Sequence, residues 1–358
     1  MWCTDSPVIL PAASAVYGAV ALKRRQWYAR YPSRQRRLRH PVISVGNLTV
    51  GGSGKTPIVE HLVRRLLEAG ERPAILTRGY ARRIESDGVT VVSDAQGVCA
   101  DLDHSGDEPL MLARALPGVP VLVGTDRYLS GRLAEERLGV TVHVLDDGFQ
   151  HLTLWRDVNL LVVETADLAE RVLPAGRLRE PVSAGAAADA VLTGEIDEAS
   201  LSRIREELRV STVFRAQRTL GPVSMLSSGV TVEPVSIGPV FAFAGIARPQ
   251  RLFDDLTAAG WRLGGTLLFR DHHRFTQADV ARIALAAGLV QTHVVITTAK
   301  DAVRLEPLDC TPLALGVPQI ACSVEPQPEF SAWLFSRLAR ARADANIDGR
   351  ARPGSSRS

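Results

Sequence analysis

Gly51-Gly52-Ser53-Gly54-Lys55-Thr56 sets a lysine and a hydroxyl directly after a run of glycines. Glycines let successive backbone N–H groups converge on phosphate oxygens without Cβ clashes. A helix starting there adds its partial positive charge. In such a loop Lys55 reaches the β- and γ-phosphates of a nucleotide, and the Thr56 hydroxyl ligates Mg²⁺. The cradle is expected over Thr49, Val50, Gly51, Gly52, Ser53, Gly54, Lys55 and Thr56. It departs from G-x-x-x-x-G-K-[ST] at its first position, where Thr49 replaces glycine.

Carboxylates come next. The apolar run Val140–Leu145 ends in Asp146-Asp147-Gly148-Phe149-Gln150-His151. An apolar strand ending in Asp delivers an acid to the edge of the sheet where Mg²⁺ sits beside a phosphate loop. Adjacent aspartates cannot both point inward along a regular strand, so one binds the metal directly and the other through water or from beyond the strand's end. Gly106-Asp107-Glu108-Pro109 precedes a helical pattern over 110–116; its acids serve either as caps or as a base and a metal ligand. The metal candidates are therefore Thr56, Glu108, Asp146 and Asp147.

Phe269-Arg270-Asp271-His272-His273-Arg274-Phe275 lies between a strand and a helix pattern. A His beside an Asp can act as a general base, although the same residues also make a plain turn. Leu173-Pro-Ala-Gly-Arg177-Leu-Arg179-Glu180-Pro181 reads as a loop, with Arg177 and Arg179 free to meet phosphate. Thr297-Thr298-Ala299-Lys300-Asp301 misses the guanine-reading [NT]KxD pattern by one position and points away from a GTPase.

The elements that must hold these residues follow from periodicity. A buried strand over 41–45 leads into the loop, and apolar Ile58, Val59, Leu62, Val63, Leu66 and Leu67 recur at helical spacing up to Gly70. Strand patterns over 74–77, 119–124, 140–145, 157–164 and 188–194 predict an α/β fold: a P-loop NTPase-type, doubly wound, mainly parallel sheet. A β-rich linker is expected over 211–238. A second, smaller α/β domain is expected over 239–340, with strands at 240–244, 265–269 and 293–298 and helices at 249–259 and 277–287. The Arg/Ala/Gly/Ser-rich 341–358 reads as a disordered tail. The P-loop domain then spans 41–210.

The 358 residues suffice for two domains, and 46% hydrophobic with 23% charged residues is a globular balance. A net charge of +3 is too small to imply nucleic-acid binding. Four scattered cysteines form no CxxC, which argues against structural zinc or a disulfide framework and fits a reducing cytoplasm. Of 42 basic residues only Lys23, Lys55 and Lys300 are lysine, so a retained lysine marks a place where a compact ammonium matters. At the N-terminus, uncharged residues 6–22 precede Lys23, Arg24, Arg25, Arg30, Arg34, Arg36, Arg37 and Arg39, interleaved with Trp27, Tyr28 and Tyr31. The apolar part is short of the ~20 residues of a spanning helix. It predicts a helix over 12–28 that lies in or dips into a bilayer with its arginines on anionic lipid, within a membrane-associating segment over 1–40.

In order and combination these motifs resemble the tetraacyldisaccharide 4'-kinase family, the lipid A 4'-kinases of Gram-negative bacteria. The residues that carry the likeness are PVISVGNLTVGGSGKTP (41–57), TRGYARR (77–83), GDEP (106–109), LDDGFQH (145–151), LPAGRLREP (173–181), FAGIARPQRLF (243–253), FRDHHRF (269–275) and KDAVRL (300–305). Threonine at the first P-loop glycine is typical of that family, whereas Ala299 stands where it more often has Glu. The resemblance implies transfer of the γ-phosphate of ATP to the 4'-hydroxyl of a tetraacylated glucosamine disaccharide 1-phosphate. It also implies Mg²⁺, chemistry in a cleft between two α/β domains, and a peripheral place on the cytoplasmic face of the inner membrane. By motif, Asp107 and His272 activate the hydroxyl with Asp271 adjacent. Lys55, Thr56 and Arg179 hold phosphate charge, and Glu108, Asp146 and Asp147 serve the metal. A monomer without nucleic-acid partners is expected. The competing readings are a soluble P-loop kinase of a small sugar or nucleoside, and a non-catalytic nucleotide switch or metallochaperone.

Overall fold

The structure, a computed structural model, describes residues 9–347 apart from 53, 81 and 196. Helix α1 (Ile9–Arg30) leads to β1 (Val42–Asn47), α2 (Lys55–Glu68), β2 (Pro73–Thr77), β3 (Thr90–Ser93), α3 (Leu102–Ser105) and α4 (Asp107–Ala115). Then come β4 (Val121–Val123), α5 (Arg127–Arg137), β5 (Val142–Asp146), β6 (Val158–Val162), α6 (Thr165–Leu168), β7 (Ala190–Thr193) and α7 (Glu198–Leu208). The C-terminal half holds β8 (Val213–Met225), β9 (Thr231–Val232), β10 (Val240–Ala244), α8 (Pro249–Ala258), β11 (Leu263–Leu268) and α9 (Gln277–Leu289). It ends with β12 (Val294–Ile296), α10 (Ala299–Leu305), β13 (Ala314–Glu325) and α11 (Gln327–Ile347).

Among the described residues the strands form one sheet in the order β11-β10-β12-β13-β8-β7-β6-β1-β5-β2-β4-β3, with β9 beside β8. Only the pairs β3/β4, β8/β9 and β8/β13 are antiparallel. The expected doubly wound, mainly parallel α/β sheet is therefore what the chain adopts. Its central strands β1, β2 and β5 are buried along their whole length, as strands covered on both faces must be.

The segment expected as a linker is more regular than its turn residues suggested. Strand β8 continues the first sheet by pairing parallel to β7, and then runs antiparallel to β13 from Met225–Gly316 to Arg215–Glu325. This pair joins the two parallel blocks through one ladder, with a register shift between Pro318 and Ile320. Strand β13 carries little alternation, because neighbours cover it unevenly along its length.

The C-terminal expectation needs correction. Residues 341–347, read as disordered tail, continue helix α11, and 348–358 lie outside the described residues. Phe330, Leu334 and Leu338 of α11 are fully buried in the core that holds Ile58, Leu62 and Leu66 of α2. Arg337 pairs with Asp189 and Arg342 with Glu71. Its Arg and Ala content, which suggested a polar tail, supplies the outer face of a packed helix. The first half thus draws on both ends of the chain.

Two features put the phosphate loop beside the acidic strand end. In the β1/β5 pairing Val45 lies opposite Asp146. Beyond it, a Cβ on Gly46 would sit 2.5 Å from the Phe149 Cβ and 2.8 Å from its amide nitrogen. No side chain fits between these two turns. Gly46→Ala therefore pushes the Asp146–Phe149 turn off the sheet and destabilises the fold by about 1–3 kcal/mol, as overpacked cores do. Chemical denaturation measures it, and an unchanged midpoint contradicts the close approach.

Candidate active site

Helix α2 begins at Lys55 after Gly54, which adopts φ +72°. Gly51 takes φ +95°, another conformation that favours glycine. Behind the loop runs a polar scaffold that its glycine count did not reveal. Lys55 donates to Asn47 Oδ1 (2.8 Å), and Asn47 Nδ2 donates to the Thr49 carbonyl (2.8 Å) and hydroxyl (3.0 Å). The Thr49 hydroxyl in turn reaches Asp167 Oδ1 (3.4 Å). Buried Thr49 is thus a structural strut of the loop rather than part of its phosphate-facing surface. Val50 is held from the side, its N–H donating to the Arg177 carbonyl (2.8 Å) and its carbonyl accepting from Arg177 Nη2 (2.9 Å). Ser53 lies outside the described residues.

Asp146 ends β5 and is 3% exposed, while Asp147 turns back with φ +54°. That left-handed step lets neighbouring aspartates both face the loop, which a regular strand forbids. Asp147 is claimed by cations: Lys55 lies 3.3 Å from Oδ1, and Arg179 donates to Oδ2 at 2.6 Å. Burial would raise its carboxyl, but Lys55 and Arg179 outweigh burial and lower it. Asp146 lacks such partners. Burial first, then the charge of Glu108, pushes it up to about 7 against the pull of Lys55.

Asp107 heads α4 behind Gly106, whose φ of +84° brings the chain against the Tyr80 carbonyl. Its Oδ1 accepts the Glu108 N–H (2.9 Å). Oδ2 faces the C-terminal half, with His272 Nδ1 at 3.1 Å, Arg304 Nε at 2.8 Å and Lys300 Nζ at 3.9 Å. Burial alone would raise the Asp107 carboxyl. The His272 hydrogen bond and the charges of Lys300 and Arg304 outweigh it and hold the group well below the usual carboxylate range. Lys300 also reaches Glu108 Oε1 (2.9 Å). His272 sits at φ +56°, with its ring edge-on to Tyr80 at 5.2 Å. Asp271 accepts the His272 N–H on Oδ1 and lies 3.9 Å from its Nε2. His273 turns the other way, onto Asp279 of α9 and the Phe269 ring.

One cavity of about 1990 Å³ is lined by Val50, Gly51, Gly52, Gly54, Lys55, Thr56, Glu108, Asp146, Asp147, Arg179, Asp271 and His272. The sequence-derived site residues are thus gathered from five separate stretches into one chamber. Asp107 stands just behind its wall, 5% exposed. Arg127, Tyr80 and Gln150 also line the cavity, and sequence reasoning assigned them no role. Buried Arg127 is lowered to about 10 by burial and by neighbouring Arg78. Arg304 was passed over as well, although its place four residues after Lys300 sets both cations on one face of α10.

The chamber suits a nucleotide with Mg²⁺. Among the described residues no group of three or more His, Cys, Asp or Glu side chains gathers as a metal cage. Mg²⁺ seldom needs one, since it keeps waters and takes phosphate oxygens with one or two carboxylates. Asp146 is the hard oxygen donor whose burial Lys55 and Arg127 offset only in part, so a cation beside it relieves the remaining cost.

The same imbalance fixes a pH dependence. In the folded chain Asp146 keeps its proton up to about pH 7, whereas an unfolded aspartate releases it near pH 3.9. The folded state binds the extra proton in that window, so this group makes stability fall as pH rises through it. Asp146→Asn should therefore gain stability over the parent as pH climbs from about 4 to 7 without divalent cation, and the gap should narrow with Mg²⁺ and nucleotide. Denaturant titrations across pH measure this, and a gap flat with pH contradicts it.

Known proteins resemble the chain over most of its length. The model of the family described as tetraacyldisaccharide-1-P 4'-kinase matches residues 7–339. A tetraacyldisaccharide 4'-kinase of Geobacter metallireducens is 40% identical over 304 residues, covering 84% of this chain and 89% of its own. The namesake from Geobacter sulfurreducens is 38% identical over 335 residues, covering 92% of each chain. A crystal structure of "apo" form LpxK from Aquifex aeolicus in complex with ATP superposes with a TM-score of 0.74 at 29% identity, covering 91% of this chain and 98% of that one. With the motifs in one chamber and the match running nearly end to end, the chain belongs to the tetraacyldisaccharide-1-P 4'-kinase family.

Proposed function

We propose that His272, oriented by Asp107, takes the proton of the sugar 4'-hydroxyl while the P-loop holds the terminal phosphates of ATP. The family reaction is ATP-dependent 4'-phosphorylation of the disaccharide 1-phosphate in lipid A biosynthesis. The observation that carries the residue assignment is the Asp107 Oδ2···His272 Nδ1 contact at 3.1 Å, with His272 in the cavity wall and Asp107 behind it. With Nδ1–H donating to the carboxylate, the Nε2 lone pair is left to accept a proton. The hydroxyl oxygen then bonds to the γ-phosphorus as the bond to the β,γ-bridging oxygen breaks, and its proton passes to Nε2.

Lys55, the loop N–H groups and Arg179 neutralise phosphate charge, which is most of what such a transfer asks of a protein. Thr56 and Asp146 would hold Mg²⁺, with Glu108 and Asp147 beside them, and the ion supplies charge neutralisation at the phosphates. The two halves of the sheet act as two domains, with the chamber as their cleft.

We further propose that α1 seats the enzyme on the cytoplasmic face of the inner membrane. No helix among the described residues is long and apolar enough to cross a bilayer. Helix α1 turns Ser14, Gly18 and Arg25 inward and leaves Val16, Val20, Tyr17 and Trp27 exposed. An ordinary surface helix does the reverse. Its basic run is divided. Arg24 and Arg25 bind the Phe149–Gln150 turn and Glu180, Arg36 pairs with Asp126, and Arg37 covers Trp155. Lys23, Arg30, Arg34 and Arg39 stay exposed for anionic headgroups.

The reading is tested with radiolabelled ATP and the disaccharide 1-phosphate in detergent micelles. His272→Ala and Asp107→Asn should each lower kcat about 100-fold or more with ATP binding retained, and the double variant should lose little further. Losses that simply multiply contradict a unit. Val16→Ser/Val20→Ser/Trp27→Ser should lose most co-sedimentation with anionic vesicles while nucleotide binding persists. Undiminished sedimentation contradicts the seating.

A further inference from the structure

We infer that Arg304 is a positioning residue for the phosphoryl transfer: it aims and fixes the Asp107 carboxylate that orients His272. The inference rests on the Asp107–His272 reading above and extends it to a third side chain.

The geometry is that of a clamp. Arg304 is 6% exposed and divides its donors between two sides. Nε (2.8 Å) and Nη2 both donate to Asp107 Oδ2 on α4. Nη1 donates to the Gly245 carbonyl (2.7 Å) and to Asp301 Oδ1 (2.9 Å) in the C-terminal half. Asp301 is itself fixed: its carboxylate accepts the Gly245 N–H (3.0 Å) and the Thr298 hydroxyl (2.8 Å). A Cβ on Gly245 would stand 3.1 Å from Asp301 Oδ1, so the strand end and α10 meet without slack. The guanidinium is therefore set by its own half before it meets Asp107.

Such rigidity has a use beyond stability. Oδ2 is also the oxygen that His272 Nδ1 approaches, and Arg304 Nη2 lies 3.3 Å from that nitrogen. Asp107 could rotate about its side-chain bonds and present either oxygen, or point Oδ2 elsewhere. Two donors from a planar, immobile guanidinium leave one orientation, in which Oδ2 faces the imidazole. Oδ1 is tied separately to the Glu108 N–H. A misplacement well under an ångström at this point would tilt the ring that must meet the hydroxyl. Arg304 does not line the cavity, so it touches neither nucleotide nor acceptor and acts through Asp107.

Lysine at position 304 keeps the charge but loses the planar fork, and methionine keeps most of the bulk without charge or donors. Both variants are measured in the parent and in an Asp107→Asn background, with ATP saturating and with its KM determined. Arg304→Met should lower kcat about 30-fold or more with the KM for ATP within about twofold, and Arg304→Lys should recover part of the loss. In the Asp107→Asn background neither change should lower the residual kcat by more than about twofold. Where Arg304→Met does not fold, Arg304→Lys carries the same cycle.

An undiminished kcat overturns the inference. So does a loss that persists in the Asp107→Asn background, or one that appears chiefly as a raised KM for ATP, the sign of a tie between halves. The underlying reading fails separately and visibly, if Asp107→Asn alone leaves kcat intact.

Discussion

The site is organised by how two carboxylates removed from water are compensated, Asp107 at 5% exposure behind the chamber wall and Asp146 at 3% within it. An isolated buried carboxylate is expensive; it must be paired, or it keeps its proton. Asp107 is paired within the protein, by His272, Lys300 and Arg304, and its ionisation is secured before any ligand arrives. Asp146 has no such partner and holds its proton up to about pH 7. The protein thus supplies the counter-charge at one carboxylate and leaves it to the ligand at the other. On the proposed mechanism that division matches two tasks: a fixed orienting anion beside the acceptor, and a donor ready for a cation arriving with phosphate.

The charged partners of Asp107 come from the other half of the chain, which gives the topology its meaning. Strands β10 and β12 end in Ala244 and Ile296, and the turns that follow carry Gly245 and Thr298 into the network that sets Arg304. The antiparallel β8/β13 pair makes this possible by extending the first sheet into the second block with a defined register. At the reacting centre the clasp between halves is made by Arg304, Lys300 and His272 on one side and Asp107 and Glu108 on the other, with the pairs Arg114–Glu306, Arg274–Asp103 and Arg248–Glu164 around it. Its strength depends on the charge of Asp107, so on the proposed mechanism catalytic aim and closure of the chamber share one carboxylate.

The sequence displayed the parts of this machine better than their joints. The P-loop, the Asp146 strand end and the strands around them were legible because buried parallel strands and glycine-rich turns leave local signatures. Asp107 and His272 were legible as candidates, but their meeting depends on contacts 165 residues apart, which no local pattern encodes. Thr49 looked like a defect of the loop until Asn47 and Asp167 explained it as a strut. The end of helix α11, 341–347, was misread as tail because its Arg and Ala residues follow Leu338, the last leucine of the buried stripe. The long strand β13 was missed because its two faces are covered unevenly.

Helix α1 shows the same economy at the entrance. Its packed face is made of small groups: Gly18 lies against the Pro181 ring, and the Ser14 hydroxyl accepts the Ala175 N–H. Arg25 reaches Glu180 and the Phe149 carbonyl. All these contacts fall on the 173–181 loop or the turn after Asp147. The same loop clips the P-loop through Arg177 and neutralises Asp147 through Arg179. Apart from Leu22, which packs against the core, the helix leaves Val16, Tyr17, Val20 and Trp27 exposed, and Tyr17, Val20 and Ala21 continue as one wall of the chamber. An acceptor with acyl chains meets an apolar surface and the reacting centre along a single helix. On the proposed seating, that continuity would tie the orientation of the enzyme on a lipid surface to the placement of the hydroxyl, because the loop that anchors the helix also holds Arg177 and Arg179 beside the P-loop.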